Sequence, residues 1–179
     1  MRLEIGDIVI RCFEHEDAEN IYRIVREKSI LRFMRDWSEN GTTLDLVHEY
    51  IDYQKSVEDS TDLEVNRRYA IAFKDSDEMI GMVGVGLEDT VNEVEIAYFM
   101  SEKYQRRGYT QQAVKALIKW CFNVSDKKYL ILTIDCANTA SNKLAEKCGF
   151  ELFEKRTPIK HVQHNMESDS YYYYRYYRS

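Results

Sequence analysis

The spacing of hydrophobic residues changes period along the chain. Near the start, Ile8, Ile10 and Cys12 alternate with Val9, Arg11 and Phe13, the two-residue repeat of a strand. From Asp17 the repeat lengthens. Ala18, Ile21, Ile24 and Val25 share one helical face, and after Asn40-Gly41 a second helix carries Leu44, Val47, Tyr50, Ile51 and Val57. The short repeat then returns. Tyr69, Ile71 and Phe73 predict a strand, Asp75 to Glu78 a turn, and Met79 to Leu87 a strand with Gly81, Gly84 and Gly86. Asp89 to Asn92 read as another turn and Val94 to Met100 as a strand, which together make an antiparallel meander. Beyond Gly108 a helix turns Ala113, Ala116, Leu117, Trp120 and Cys121 inward. Leu130 to Cys136 is an apolar strand, and Ala140 to Cys148 a short helix stopped by Gly149. The tail holds one or two more strands and ends in the Tyr-rich run Tyr171 to Tyr177, a core or edge strand, an aromatic acceptor wall or a dimer contact. These elements sum to an α+β fold: a mixed, mostly antiparallel central sheet flanked by helices.

Composition narrows the function. The chain has 179 residues, a single proline, Pro158, and no Gly/Ser-rich linker, so a single domain over 1–179 is expected. Its net charge of -6 argues against a nucleic-acid partner, whose phosphates need a basic surface, and suits a cationic acceptor. Cys12, Cys121, Cys136 and Cys148 form no C-x-x-C pair, which points to reduced thiols in a cytoplasmic protein without a metal. His161 and His164 read as surface histidines. Met1 to Phe13 carries charges throughout and is no signal peptide, and no window approaches the ~20 apolar residues of a membrane span. Gly81, Gly84 and Gly86 lack the strand-to-helix setting of a dinucleotide fingerprint.

Two motifs carry candidate chemistry. The first is a strand, then Gln105-Arg106-Arg107-Gly108-Tyr109-Thr110, then a helix. A helix N-terminus has free N–H groups and a positive dipole end, Gly108 lets the backbone approach a phosphate, and the two arginines add charge. On its own this loop is equally a plain helix start with solvated arginines. The second is Asn138-x-x-Ser141-x-x-Leu144 followed by Gly149-Phe150. Asn138 either caps the helix or meets a ligand amide, and Ser141 lies one turn later on the same face.

Together the motifs resemble the GNAT superfamily of N-acetyltransferases. Its pyrophosphate loop, Gln/Arg-x-x-Gly-x-Gly/Ala, is matched by Gln105 to Thr110. Its Asn-x-x-Ala/Ser, Leu and Gly-Phe are matched by Asn138, Ser141, Leu144, Gly149 and Phe150. Glu95 to Met100 is similar to the Glu-Ile-Gly-Tyr-Trp-Leu run of the branch named after the Rim ribosomal-protein acetyltransferases. The resemblance implies acetyl-coenzyme A as co-substrate, an amine acceptor and direct transfer. It implies a cofactor site of Phe99, Met100, Arg106, Arg107, Gly108, Tyr109, Thr110, Asn138 and Ser141, with strands splaying apart to free main-chain groups for the pantetheine. Glu95 is the candidate base, directly or through water, against the reading of a charge on a strand's polar face. Ser141 either donates to the departing sulfur or caps its helix. The sequence departs from the family pattern at Thr110 and at Ala145, where many members carry a tyrosine acid. These departures leave a second reading open, a catalytically silent acyl-coenzyme A binder.

Overall fold

Gly6, at a φ of +53°, and Asp7 turn the chain back between β1 (Arg2–Ile5) and β2 (Ile8–Arg11). The computed structural model describes residues 1–34, 37–38, 41–157, 168 and 170–178. Pro158, His161 and His164 lie outside the described residues, as does Asn40. β1 was not among the expected strands. It is short, with Arg2 and Glu4 outward, but Leu3 and Ile5 pack on the core.

The rest follows the predicted order, with ends shifted by a residue or two. α1 (Ala18–Val25) and the short α2 (Lys28–Leu31) lead to α3 (Leu44–Ser56). β3 (Arg67–Phe73), β4 (Met79–Glu88) and β5 (Glu93–Met100) form the antiparallel meander. Then come α4 (Tyr109–Val124), β6 (Tyr129–Asp135), α5 (Thr139–Cys148), β7 (Glu151–Arg156) and β8 (Tyr171–Tyr177). Among the described residues, eight strands join one sheet in the order β1-β2-β3-β4-β5-β6-β8-β7. The Tyr-rich strand is therefore internal, between β6 and β7. Tyr174 packs in the core on one face, while Tyr173 beside it points to the other.

Each face of the sheet has its own cover. On one, Ile80, Val83, Val85, Val94 and Ile96 meet α4 through Val114, Leu117 and Ile118. The sequence pattern had turned Ala116 and Trp120 inward; both are only half-buried, and Val114 and Ile118 take the seam. On the other face, Val47 and Ile51 of α3 and Ile21 and Ile24 of α1 cover Ala70, Met82 and Phe99. Each such aliphatic side chain, taken fully out of water, contributes about 1.5–3 kcal/mol. Arg11 and Asp17, both buried, pair at 2.6 Å and hold β2 to the start of α1. The four cysteines are free; Cys121 and Cys148 are buried and Cys12 and Cys136 half-buried.

Candidate active site

The site begins where two strands part. β5 and β6 run parallel, yet only Glu95 and Ile131 are in register. β5 stays paired to β4 from Glu93 to Met100, and β6 to β8 from Tyr129 to Asp135, so the gap opens between them. Glu95 wedges the opening. Thr133 donates to its Oε1 twice, from the main-chain N–H at 2.8 Å and from the hydroxyl at 2.6 Å. A strand N–H that has lost its ladder partner is thereby satisfied. Burial pushes the Glu95 carboxyl up to about 7, with the Thr133 bonds pulling the other way. Beyond Glu95, the β6-facing main chain of β5 has no strand partner. The Met100 carbonyl is taken instead by the Gln105 side-chain amide, at 2.9 Å.

A cavity of about 590 Å³ lies against Tyr98, Phe99 and Met100, the end of β5 that has left β6. On one side it is walled by Ile30, Phe33 and Met34, near α2, and on the other by Asn138, Ser141 and Leu144 of α5 and its cap. Arg106, Lys143 and Lys147 bring positive charge to its rim. The N-terminus of α4 opens into it. Gly108 is the N-cap, at a φ of +84°, and no side chain caps the helix. The N–H groups of Tyr109, Thr110 and Gln111 are therefore left for a ligand, at the positive end of a 16-residue helix. Arg106 also adopts a positive φ, +63°, a costly conformation for a side-chain-bearing residue. Two left-handed residues in three curl the loop into a concavity of a shape that can take an anion.

The loop is anchored from α1's end of the molecule. The Glu27 carboxylate accepts from Ser101 Oγ at 2.7 Å and from the Glu102 N–H at 2.5 Å. Glu102 in turn accepts from the Ser29 N–H, and Gln105 donates to the Ser29 hydroxyl. Ser101 is fully buried. Glu27→Ala would orphan that hydroxyl, so a stability loss of about 1–3 kcal/mol is expected from denaturant unfolding.

Of the nine residues expected around a cofactor, Phe99, Met100, Arg106, Gly108, Thr110, Asn138 and Ser141 line the cavity. The side chains of Arg107 and Tyr109 do not. Arg107 lies against the Tyr104 ring, and Tyr109 packs edge-on to Phe73 at 5.6 Å, because the helix start turns them toward the sheet and surface. Only their main chain can serve a ligand. Asn138 is the helix cap, accepting from the Ser141 N–H at 3.1 Å, and it also lines the cavity. Ser141 is therefore not the cap, and it lines the cavity. Ala145 is fully buried and does not line the cavity. Glu95 is not part of the cavity wall either; it sits at the apex of the gap. Sequence reading passed over Lys143, Lys147 and the Tyr98 phenol, which lines the cavity and donates to the Ser141 carbonyl at 3.4 Å. The spacing of Lys143 and Lys147, four residues apart on the helix that Asn138 caps, could have shown the two lysines. Among the described residues no His, Cys, Asp or Glu cluster could hold a metal. No described helix is long and apolar enough to cross a membrane.

Residues 7–151 match a family model described as acetyltransferase (GNAT) domain. The chain is 28% identical over 147 residues to the ribosomal-protein-serine acetyltransferase of Escherichia coli, covering 77% of this chain and 78% of that one. It superposes on an acetyltransferase (GNAT family) from Bacillus anthracis with a TM-score of 0.81, at 18% identity, over 99% of this chain and 98% of that one. RimL, a ribosomal L7/L12 alpha-N-protein acetyltransferase solved in complex with coenzyme A, gives a TM-score of 0.79 at 17% identity, with coverage of 99% and 98%.

Proposed function

The chain belongs to the GNAT acetyltransferase family, and we propose that it moves the acetyl group of acetyl-coenzyme A to a primary amine, with a peptide α-amine favoured over small amines. One observation carries the reading: an uncapped helix N-terminus opens into a cavity at the point where β5 and β6 part. Acetyl-coenzyme A, when bound, supplies an acyl group activated as a thioester. The residues fit it. The N–H groups of Tyr109, Thr110 and Gln111, with Arg106, Lys143 and Lys147, suit a pyrophosphate. The main chain of Ile96 to Met100 on the side that faces β6 suits the pantetheine amides, and a main-chain N–H near Phe99 or Met100 would polarise the thioester carbonyl. Thr110 lines the cavity, and its hydroxyl could donate to a phosphate.

Glu95 would take the acceptor's proton. Its Oε1 is held by Thr133, Oε2 has no partner among the described residues, and it stands back from the cavity wall, which favours transfer through a water molecule. The acceptor preference follows from protonation. A lysine-like amine, with a pKa of ~10.4, is neutral in about one part in ~10³ at pH 7.4, a cost of ~4 kcal/mol. An α-amine, with a pKa of ~7.7–8.0, costs about 0.6–1 kcal/mol. A base of pKa near 7 suffices for the second and is weak for the first. The α-amine activity in the RimL name is in keeping with this.

Thiol release from acetyl-coenzyme A with a panel of peptide and small amines tests the reading. Binding without release for every amine would leave only the silent-binder reading. Ser141→Ala is expected to cost less than ~1.4 kcal/mol, or tenfold, in kcat, because a thiolate is a good leaving group and a serine hydroxyl a very weak acid. A loss of 10²-fold or more would make Ser141 the donor to sulfur.

A further inference from the structure

The face of the sheet beneath α3 holds a cation that the proposed transfer does not use. Arg68 on β3 lies opposite Gly84 on β4, and Gly84 lies opposite Ala97 on β5. Gly86, next along the same face, lies opposite Glu95. Arg68 and Glu95 therefore share a face, separated by a strip of glycine. A Cβ on Gly84 would stand 2.2 Å from Arg68 Cδ, so the arginine stem lies flat across β4. No side chain of β4 stands between it and the strand of Glu95, although the Asn66 side chain lies over Gly86.

The arginine is fixed but not neutralised. Its main-chain N–H donates to Gln54 Oε1 at 2.7 Å, and Nη1 donates to the carbonyls of Arg67 and Val85 at 3.1 and 3.0 Å. These are uncharged acceptors. Among the described residues no carboxylate reaches ion-pair distance of Arg68, and Nε and Nη2 have no partner. Three carboxylates stand on this face nearby, and each has partners elsewhere; Glu93 accepts from the Tyr129 hydroxyl and pairs with Arg175. Glu95 accepts from Thr133, and Glu88 accepts from Thr90 Oγ1 at 2.6 Å and the Val91 N–H at 2.9 Å. A half-buried guanidinium held rigid without a counter-ion is unfavourable unless something else supplies one.

We infer that the acceptor supplies it: its amine faces Glu95 across a water molecule while a carboxylate or phosphate beside that amine forms a forked pair with Arg68. This rests on the acetyl transfer proposed above and gives its acceptor class, an amine with an anionic group no more than about one residue away. The scale fits. β3 and β5 are two strands, or about 10 Å, apart, and the arginine stem spans part of that distance. An N-terminal aspartate, glutamate or phosphoserine places its charge a few ångströms from its own α-amine. The planar fork of arginine, rather than a lysine, is what bidentate recognition of such groups needs.

The test uses amidated tripeptides that differ only in the first residue: Asp-Ala-Ala against Asn-Ala-Ala, and phosphoserine-Ala-Ala against Ser-Ala-Ala. Calorimetry measures their binding to the full chain saturated with coenzyme A, and KM is measured in parallel with acetyl-coenzyme A. Wild type is expected to bind at least one acidic peptide tenfold or more tightly than its neutral partner. The aspartate and phosphoserine arms tell carboxylate from phosphate. Arg68→Gln is expected to abolish that difference and leave acetyl-coenzyme A affinity unchanged. Arg68→Lys, which keeps the charge and loses the fork, should retain part of it and serves if the glutamine variant does not fold. Equal binding of acidic and neutral peptides by wild type would overturn the inference, as would a preference that survives in Arg68→Gln. If the binding preference holds but no peptide releases thiol, the anion site stands and the transfer reading falls.

Discussion

Glu95→Gln is expected to lower kcat/KM at pH 7 by about 10²-fold or more and to remove the rise in rate that wild type shows through pH 7. The carboxyl titrates near 7 because burial disfavours its charge more than the two Thr133 bonds favour it. Below 7 it is protonated and cannot act as a base. As pH rises toward the acceptor's own pKa the amine becomes neutral unaided, and variant and wild type should converge. The same shift has a consequence for stability. The folded carboxyl holds its proton up to about 7, whereas an unperturbed one releases it near 4.5. The raised pKa therefore stabilises the fold below about 4.5, and that contribution is lost as pH rises to 7. Glutamine does not titrate and can still accept from Thr133. Its melting temperature, compared with wild type, should climb between pH 5 and pH 8. A pH–rate profile of unchanged shape would remove Glu95 from the role of base. A melting difference that does not move with pH would show that its carboxyl titrates normally.

The second large effect is expected at Gly108, where Gly108→Glu should weaken acetyl-coenzyme A binding by about 10²-fold or more. Two contributions can be separated there. The first is backbone strain: at a φ of +84° any side chain costs roughly 1–2 kcal/mol. Space is not the difficulty, since a Cβ would meet nothing nearer than Gln112 Nε2, at 3.9 Å. Gly108→Ala should accordingly cost about 1–2 kcal/mol of stability and change affinity only several-fold. The second contribution is electrostatic. A glutamate at the N-cap puts a carboxylate among the N–H groups of Tyr109, Thr110 and Gln111, where it stabilises the helix but competes with and repels the pyrophosphate. The glutamate variant should thus fold at least as well as the alanine variant and bind far more weakly. Calorimetry on both, with melting curves as control, measures this. Unchanged affinity in a folded Gly108→Glu protein would reject the loop as the phosphate site.

Much of this could be read without coordinates, because it depends on near neighbours in the chain. The alternation of Tyr69, Ile71 and Phe73, the helical spacing of Ala18, Ile21, Ile24 and Val25, and the stop at Gly149 are local patterns, and the elements formed where they placed them. The glycine loop was legible as a structural feature for the same reason: strand, Gly108 and helix start are consecutive, and a helix N-terminus presents its N–H groups wherever it lies. β1 was missed because four residues with two charges barely differ from a polar leader, and only pairing to β2 shows the strand. The internal place of β8 was likewise out of reach, since strand order depends on which edge a returning chain finds vacant.

The site itself divides along the same line. Residue identities, spacing and the chemistry of a glycine loop before a helix were determined by the sequence. The parting of β5 from β6 was settled by tertiary structure, because each strand is bound to a different outer neighbour. So were the wedge of Glu95 under Thr133, the turning away of Arg107 and Tyr109, and the meeting of Arg68 with Glu95's face across Gly84. Sequence specifies what each residue can do over a few neighbours. A carboxylate's pKa and an arginine's want of a counter-ion depend on groups tens of residues distant, brought close only when the sheet closes its register.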